Sequence, residues 1–224
     1  SVWSESCKFR KREALNKDIK TDVLVIGAGI AGILTAYMLK QKGREVVLID
    51  AAEIASGNTK NTTAKITSQH DLIYSKLISE FGEEKARQYA KANELAIKKY
   101  KEIIEYKRIE CDFEEKPAYV YSLNEVDVLK EEVEAAKNLG IDAEFVQEVN
   151  LPFKIKGALK FNNQAQFNPL KFLRGISNEL VIYENTRALE IKENLVVTSG
   201  GNITANNIVV ATHYPIMNAP GYYF

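Results

Sequence analysis

Residues 23–50 read VLVIGAGIAGILTAYMLKQKGREVVLID, and this stretch decides the fold. Val23 to Ile26 is a short apolar run rich in β-branched residues, as expected of a strand buried on both faces. Gly27, Gly29 and Gly32 follow in the pattern G-x-G-x-x-G. Ile33, Ala36, Tyr37 and Leu39 then recur at helical spacing. Gly43 stops that helix, and Val46 to Ile49 form a second apolar strand with Asp50 at its end. The pattern is a complete βαβ unit. Each glycine has a mechanical task. Gly27 turns the chain out of the strand, Gly29 lets a pyrophosphate approach the backbone, and Gly32 lets the helix lie close to the sheet. The first helical turn, Ile30, Ala31 and Gly32, offers N–H groups and the positive end of the helix dipole to phosphate. Asp50, beside Ala51, follows the last glycine by about 20 residues, the spacing at which a carboxylate meets the hydroxyls of an adenosine ribose. The expectation is a dinucleotide site.

Bulk composition narrows the rest. The chain has 224 residues, with 30 Lys+Arg against 30 Asp+Glu, so its charge gives no reason to expect nucleic acid or an acidic membrane as partner. Cys7 and Cys111 form no C-x-x-C pair and no disulfide framework, which points to a reducing, cytoplasmic setting. With His70 and His213 the only histidines, no metal-ligand spacing is present, and no metal is expected. The uncharged run 23–39 could pass for a membrane span, but its central glycines and its length, under about 20 residues, argue for strand–turn–helix.

Along the chain, residues 1–20 read as a polar extended arm with some local order, and residues 51–70 as a hydroxyl-rich loop. Helices are expected at 72–80, 83–108, 124–138 and 169–177. Tyr89, Ala92, Ala96, Tyr100, Ile103 and Ile104 mark the apolar stripe of the second, Asn124 caps the third, and Pro169 opens the fourth. Strands are expected at 111–122, 143–149 and 157–161. A further set of short strands runs from Val181 onward, with a hairpin turn at Gly200-Gly201 and an apolar strand at 207–212 returning to the parallel sheet.

With these motifs in place, the chain resembles the D-amino-acid oxidase superfamily of FAD-dependent oxidoreductases, which includes glycine and sarcosine oxidases. Gly27 to Gly32 with Asp50 matches the family's N-terminal FAD motif. Ala55-Ser56-Gly57, then Asn58, Thr59 and Thr62-Thr63-Ala64, resembles its second loop, which crosses the pyrophosphate and reaches the flavin. Residues 185–191 resemble the strand that contacts adenine, with Ala188 where the family often has Val. Residues 207–212 resemble the closing motif, Ala211 and Thr212 included, with His213 in place of a glycine.

The resemblance implies an α/β fold: a doubly wound, Rossmann-like parallel FAD-binding sheet with part of a second α+β substrate domain. The FAD domain is expected at 1–110 and 164–224 and the substrate-domain part at 111–163. The reaction implied is oxidation of an amine or amino acid by hydride transfer to flavin, with a small-molecule substrate. Lys65 is the candidate for the positive group that stabilises the reduced flavin, with Thr67 nearby. His70 is the candidate for contact with substrate or flavin, and Gln164 and Gln166 are expected to face the cavity. Within the family, the segment from Thr62 to His70 looks most like a bacterial subgroup, some of whose members carry a C-terminal Rieske domain. No Rieske cysteine–histidine pair lies in this chain, and the family's chain continues well beyond Phe224, so the resemblance implies the N-terminal part of a larger enzyme, with a naturally short protein as the alternative. An NAD-dependent dehydrogenase and a non-catalytic nucleotide-binding module remain the rival readings.

Overall fold

A computed structural model describes residues 2–213 and residue 216. In chain order its elements are α1 (Val2–Ser6), β1 (Ile19–Ile26), α2 (Ile30–Gln41), β2 (Val46–Ile49), β3 (Lys65–Ile66), α3 (Tyr74–Phe81), α4 (Glu83–Lys107), β4 (Glu114–Glu115) and β5 (Ala118–Ser122). There follow α5 (Asp127–Asn138), β6 (Ala143–Val146), β7 (Gly157–Phe161), β8 (Ala165–Gln166), α6 (Pro169–Ser177), β9 (Val181–Tyr183), β10 (Ala188–Lys192), β11 (Leu195–Thr198) and β12 (Asn202–Val210). Two compact units result, one from Ser1–Thr63 with Asn168–Phe224 and one from Ala64–Phe167.

The first unit is built on a sheet of order β10-β11-β12-β1-β2-β9. β12, β1, β2 and β9 run parallel, with Val23 beside Val46 and Ile26 beside Ile49. Val23 to Ile26 and Val46 to Ile49 are buried throughout, as their continuous apolar runs require. Leu24, Ile26, Val47 and Ile49 share one face with Val196, Ile203 and Leu15. Strand alternation sends Val23, Val25, Val46 and Leu48 to the other face, where α2 packs. The expected returning strand is β12, and it has two roles. It pairs parallel with β1 and antiparallel with β11, so the sheet is mixed, with the hairpin β10–β11 extending it. The turn into β12 is the expected glycine pair, Gly201 standing at φ +151°.

The N-terminal arm is more ordered than its composition suggests. Trp3 Nε1 donates to Thr62 O at 3.0 Å, and Asn168 Nδ2 donates to Ser6 Oγ at 2.8 Å. The Arg12 N–H donates to Glu184 at 2.9 Å and the Leu15 N–H to Thr186 Oγ1 at 3.0 Å. Cys7 and Leu15 are buried. These partners lie far away in sequence, which is why local patterns show only an arm.

The second unit contains two three-stranded antiparallel sheets, β3-β8-β4 and β5-β7-β6. Its core joins Tyr74 of α3, Ala86 and Ala90 of α4, Leu129, Val133 and Ala136 of α5, and Leu159 and Phe161 of β7. That core moves the expected boundaries. Residues 64–110 were expected with the first unit, but α3 and the start of α4 bury their apolar faces against α5 and β7. The α4 stripe is also displaced. Ala86, Ala90, Ile97, Ile103 and Ile104 are buried, whereas Ala92 and Ala96 are exposed and Tyr89 is 38% exposed. The expected strand 111–122 shortens to β4 and β5, and 143–149 to β6. Asn124 is not a cap: α5 follows Val126 with no side-chain cap, and the Asn124 N–H is taken by Ser122 Oγ at 3.2 Å. Cys111 is buried.

Candidate functional site

A cavity of about 720 Å³ opens at the carboxyl ends of the parallel strands in the first unit. Gly27, Gly29, Ile30 and Ala31 line it from the β1–α2 turn, and Asp50 from the end of β2. Ser56, Gly57 and Thr59 line it from the following loop, and Ala211, Thr212 and His213 from the end of β12. All of these are residues expected from the sequence to hold the cofactor. Ala55, Asn58 and Thr62 of the second loop motif line it as well, and Ala52 joins them with no signal in the sequence to mark it.

The three glycines separate by cause. At Gly32 a Cβ would fall 1.8 Å from the carbonyl oxygen of Gly27, so this glycine exists for helix–strand contact, as expected. Gly27 has φ +110°, and a Cβ there would lie 2.8 Å from the Ala211 carbonyl. Gly29 is different. Its φ of −78° suits any residue, and a Cβ would meet only Thr59 Oγ1, at 3.4 Å. The protein's own packing does not require glycine at this point. The open approach beside the α2 N-terminus is the fit a phosphate group requires. Across the cavity, a Cβ added to Gly57 would likewise have nothing within 4 Å.

Asp50 has a task that the sequence does not reveal. Its carboxylate accepts the Ala28 N–H at 2.6 Å and the Ala52 N–H at 2.8 Å, tying the glycine turn to the loop after β2. Thr59 Oγ1 accepts the Ile30 N–H at 3.1 Å, and the Ala55 N–H donates to Ala28 O at 3.0 Å. The second loop is thereby pinned on the first. Gly29 supplies no side-chain cap to α2, so the Ala31 and Gly32 N–H groups, in the first turn, have no preceding helical carbonyl to bond. Also on the lining, Asn58 Nδ2 and His213 Nε2 lie 3.2 Å apart.

Other expected residues lie outside that cavity lining. Ala51 is exposed beside Asp50, Thr63 closes the first unit's N-terminal part, and Ala188 is half-buried on β10 opposite Thr198. Ala64 and the candidates Lys65 and His70 belong to the second unit. There Lys65 and Thr67 line a cavity of about 330 Å³ with Tyr119, Tyr121, Gln164 and Gln166. The Lys65 ammonium makes no hydrogen bond or ion pair among the described residues. Gln164 is 1% exposed, and its Oε1 accepts the Ser68 N–H at 2.7 Å, so much of its bonding is internal. His70 Nδ1 sits 3.0 Å from the Tyr89 hydroxyl.

Residues 22–223 match the family described as FAD dependent oxidoreductase. The chain belongs to that family. Its cofactor is therefore FAD. A Bacillus subtilis protein, YhfW, named for a Rieske 2Fe-2S iron–sulfur centre, is 39% identical over 234 residues, covering 100% of this chain and 46% of its own length. Gamma-glutamylputrescine oxidoreductase of Escherichia coli is 23% identical over 220 residues, covering 91% of this chain and 51% of its own length. Among solved structures, L-amino acid deaminase from Proteus vulgaris superposes with a TM-score of 0.69 at 23% identity, covering 91% of this chain and 50% of that one. The chain spans about half the length of the curated relatives it matches. Among the described residues no helix is long and apolar enough to cross a membrane.

Proposed function

We propose that this chain carries the adenosine-diphosphate-binding part of an oxidoreductase that acts on an amine or amino acid. The observation that carries the reading is Gly29, a glycine which neither backbone conformation nor internal packing demands, set beside the N-terminus of α2. The flavin, when bound, supplies the two-electron oxidant, accepting a hydride from the substrate carbon. The chain's own residues bind and orient. The Ala31 and Gly32 N–H groups with the α2 dipole receive the pyrophosphate. Asp50 takes the ribose hydroxyls with the acceptor capacity left over from Ala28 and Ala52. Ser56, Gly57 and Thr59 close over the phosphates, Ala188 lies toward adenine, and Ala211, Thr212 and His213 form the floor. Ala51, Thr63 and Ala64 complete the cofactor set. In the second unit Lys65 supplies a positive charge to the reaction centre, and His70, oriented by Tyr89, meets substrate. The names of the Escherichia coli and Proteus relatives support an amine or amino-acid substrate, and the name of YhfW supports a Rieske domain as partner.

Flavin fluorescence titration tests the reading. Wild-type chain should bind FAD saturably, and Asp50→Asn should weaken binding by about 1–3 kcal/mol, the scale of a hydrogen bond to a charged group. Equal affinity of the chain for NAD and FAD would support the dehydrogenase reading instead. Reduction of an artificial dye on adding amines or amino acids, slower at limiting FAD with the Asp50→Asn protein, separates an enzyme from a passive nucleotide-binding module.

A further inference from the structure

The N-terminal segment and the loop after β2 enclose a second cavity in the first unit, of about 410 Å³. It shares Ala55 and Ser56 with the dinucleotide cavity and is otherwise separate from it. Phe9, Ile54 and Leu170 give it an apolar side, and Lys8, Arg10 and Lys11 reach it from the arm. Among the described residues these three cations make no ion pair or hydrogen bond through their side chains. Lys60 adds a fourth positive charge to the lining. Two carboxylates face them. Glu184 is already committed, its two oxygens accepting the Arg12 N–H at 2.9 Å and the Ile54 N–H at 2.8 Å, which leaves Glu53 as the one opposing charge on the lining with no such commitment. The chain as a whole has a formal net charge of +0, so this excess is local.

We propose that this cavity is a second binding site, distinct from the dinucleotide site, for a small phosphate-bearing molecule with an apolar part. Three cations on one short segment suit a polyanion better than a monocarboxylate, and the Arg10 guanidinium adds the fork geometry that phosphate oxygens accept. The apolar side takes the remainder of the ligand, and the volume falls within the range of small-molecule sites. The segment holding the cations is positioned from both ends, by Trp3 on Thr62 and by Arg12 on Glu184, so the charges are presented on a fixed strap.

Trp3, the only tryptophan of the chain, stands one residue before Ser4 of the lining, so its emission follows changes at this end of the strap. The probe is inorganic pyrophosphate, titrated into the FAD-treated chain while Trp3 emission is followed. A saturable change is expected. Replacing Lys8, Arg10 and Lys11 together by glutamine should weaken it by about tenfold or more, the scale for losing several charge-assisted hydrogen bonds. Arg10→Gln alone should weaken it in part, and Arg10→Lys, which keeps the charge but not the fork, should recover only a fraction of that loss. Lys85→Gln, an exposed position of α4 outside both cavity linings, should leave it unchanged. The proposal falls if pyrophosphate produces no saturable change at millimolar concentration. It also falls if the triple variant, folded by circular dichroism, binds as tightly as wild type, or if Lys85→Gln weakens the response as much as the triple variant does. Failure of FAD to bind would count against the dinucleotide reading and leave these outcomes intact.

Discussion

Glu184 in the first unit and Glu132 in the second are both almost completely buried carboxylates, 4% and 0% exposed. Each spends its two oxygens on two backbone N–H groups. Glu184 joins Arg12 of the N-terminal segment to Ile54 of the cavity loop. Glu132, on α5, accepts the Tyr74 N–H at 2.7 Å and the Ser75 N–H at 2.9 Å, capping α3 from a neighbouring helix where Ile73 offers no side chain to do so. The same device fixes a cavity-lining loop in one unit and a hydrophobic core in the other. A carboxylate buried in this way is stable only because each of its oxygens meets a donor. What differs is the surrounding demand. The first unit leaves backbone groups facing an open cavity, and the second packs side chains on each other.

Four substitutions test that contrast. The largest effect is expected from Glu132→Ala. It orphans two helix N–H groups and leaves a cavity, and should destabilise the second unit by about 3–5 kcal/mol. Urea unfolding should show the loss, while FAD affinity of protein still folded stays near wild type. Strongly weakened FAD binding would mean that the two units do not divide the work in this way.

Gly32→Ala comes next. Its Cβ would collide with the Gly27 carbonyl at 1.8 Å, so helix and turn must separate. A loss of about 3 kcal/mol in stability is expected, together with loss of cofactor. Gly29→Ala should do the reverse. With only a 3.4 Å contact to Thr59, it should stay within about 0.5 kcal/mol of wild-type stability, the ordinary range for a tolerated site, yet lose FAD by dialysis. If both alanine variants behave alike, the distinction between a glycine placed for packing and one placed for a ligand disappears.

The smallest effect concerns Tyr100. Burial pushes its phenol up to about 12 from an ordinary 10.0, and its ring lies edge-on to Phe167 at 5.5 Å. Because the folded form holds the proton more tightly than the unfolded chain, the stabilising contribution is present below pH 10 and is lost as pH rises from about 10 towards 12. Thermal unfolding should therefore occur more readily over that window, and Tyr100→Phe should reduce the slope. Buried Tyr74, raised in the same direction, should account for part of what remains.

The extent to which the site can be read from sequence follows from which residues are constrained locally. Gly27, Gly29, Gly32 and Asp50 are held in register by one strand, one turn and one helix, so their spacing carries the geometry. Ser56, Gly57 and Thr59 are marked by resemblance alone, since a loop has no period to read. Glu184 and Ala52 carry no such mark. Their importance depends on a partner far along the chain, as with Glu184 and Arg12, or on the path of an irregular loop, as with Ala52 and Asp50.

The same division holds for the fold. The βαβ unit, the returning strand and the helical segments are legible in the chain alone, because apolar periodicity and glycine punctuation act over a few residues. Long-range packing selects which unit residues 64–110 join, which face of α4 is buried, and how the N-terminal segment is fastened. Those outcomes depend on surfaces that meet only after the chain has folded: α3 and α4 have apolar faces suited to more than one neighbour, and it is the shape of α5 and β7 that chooses among them.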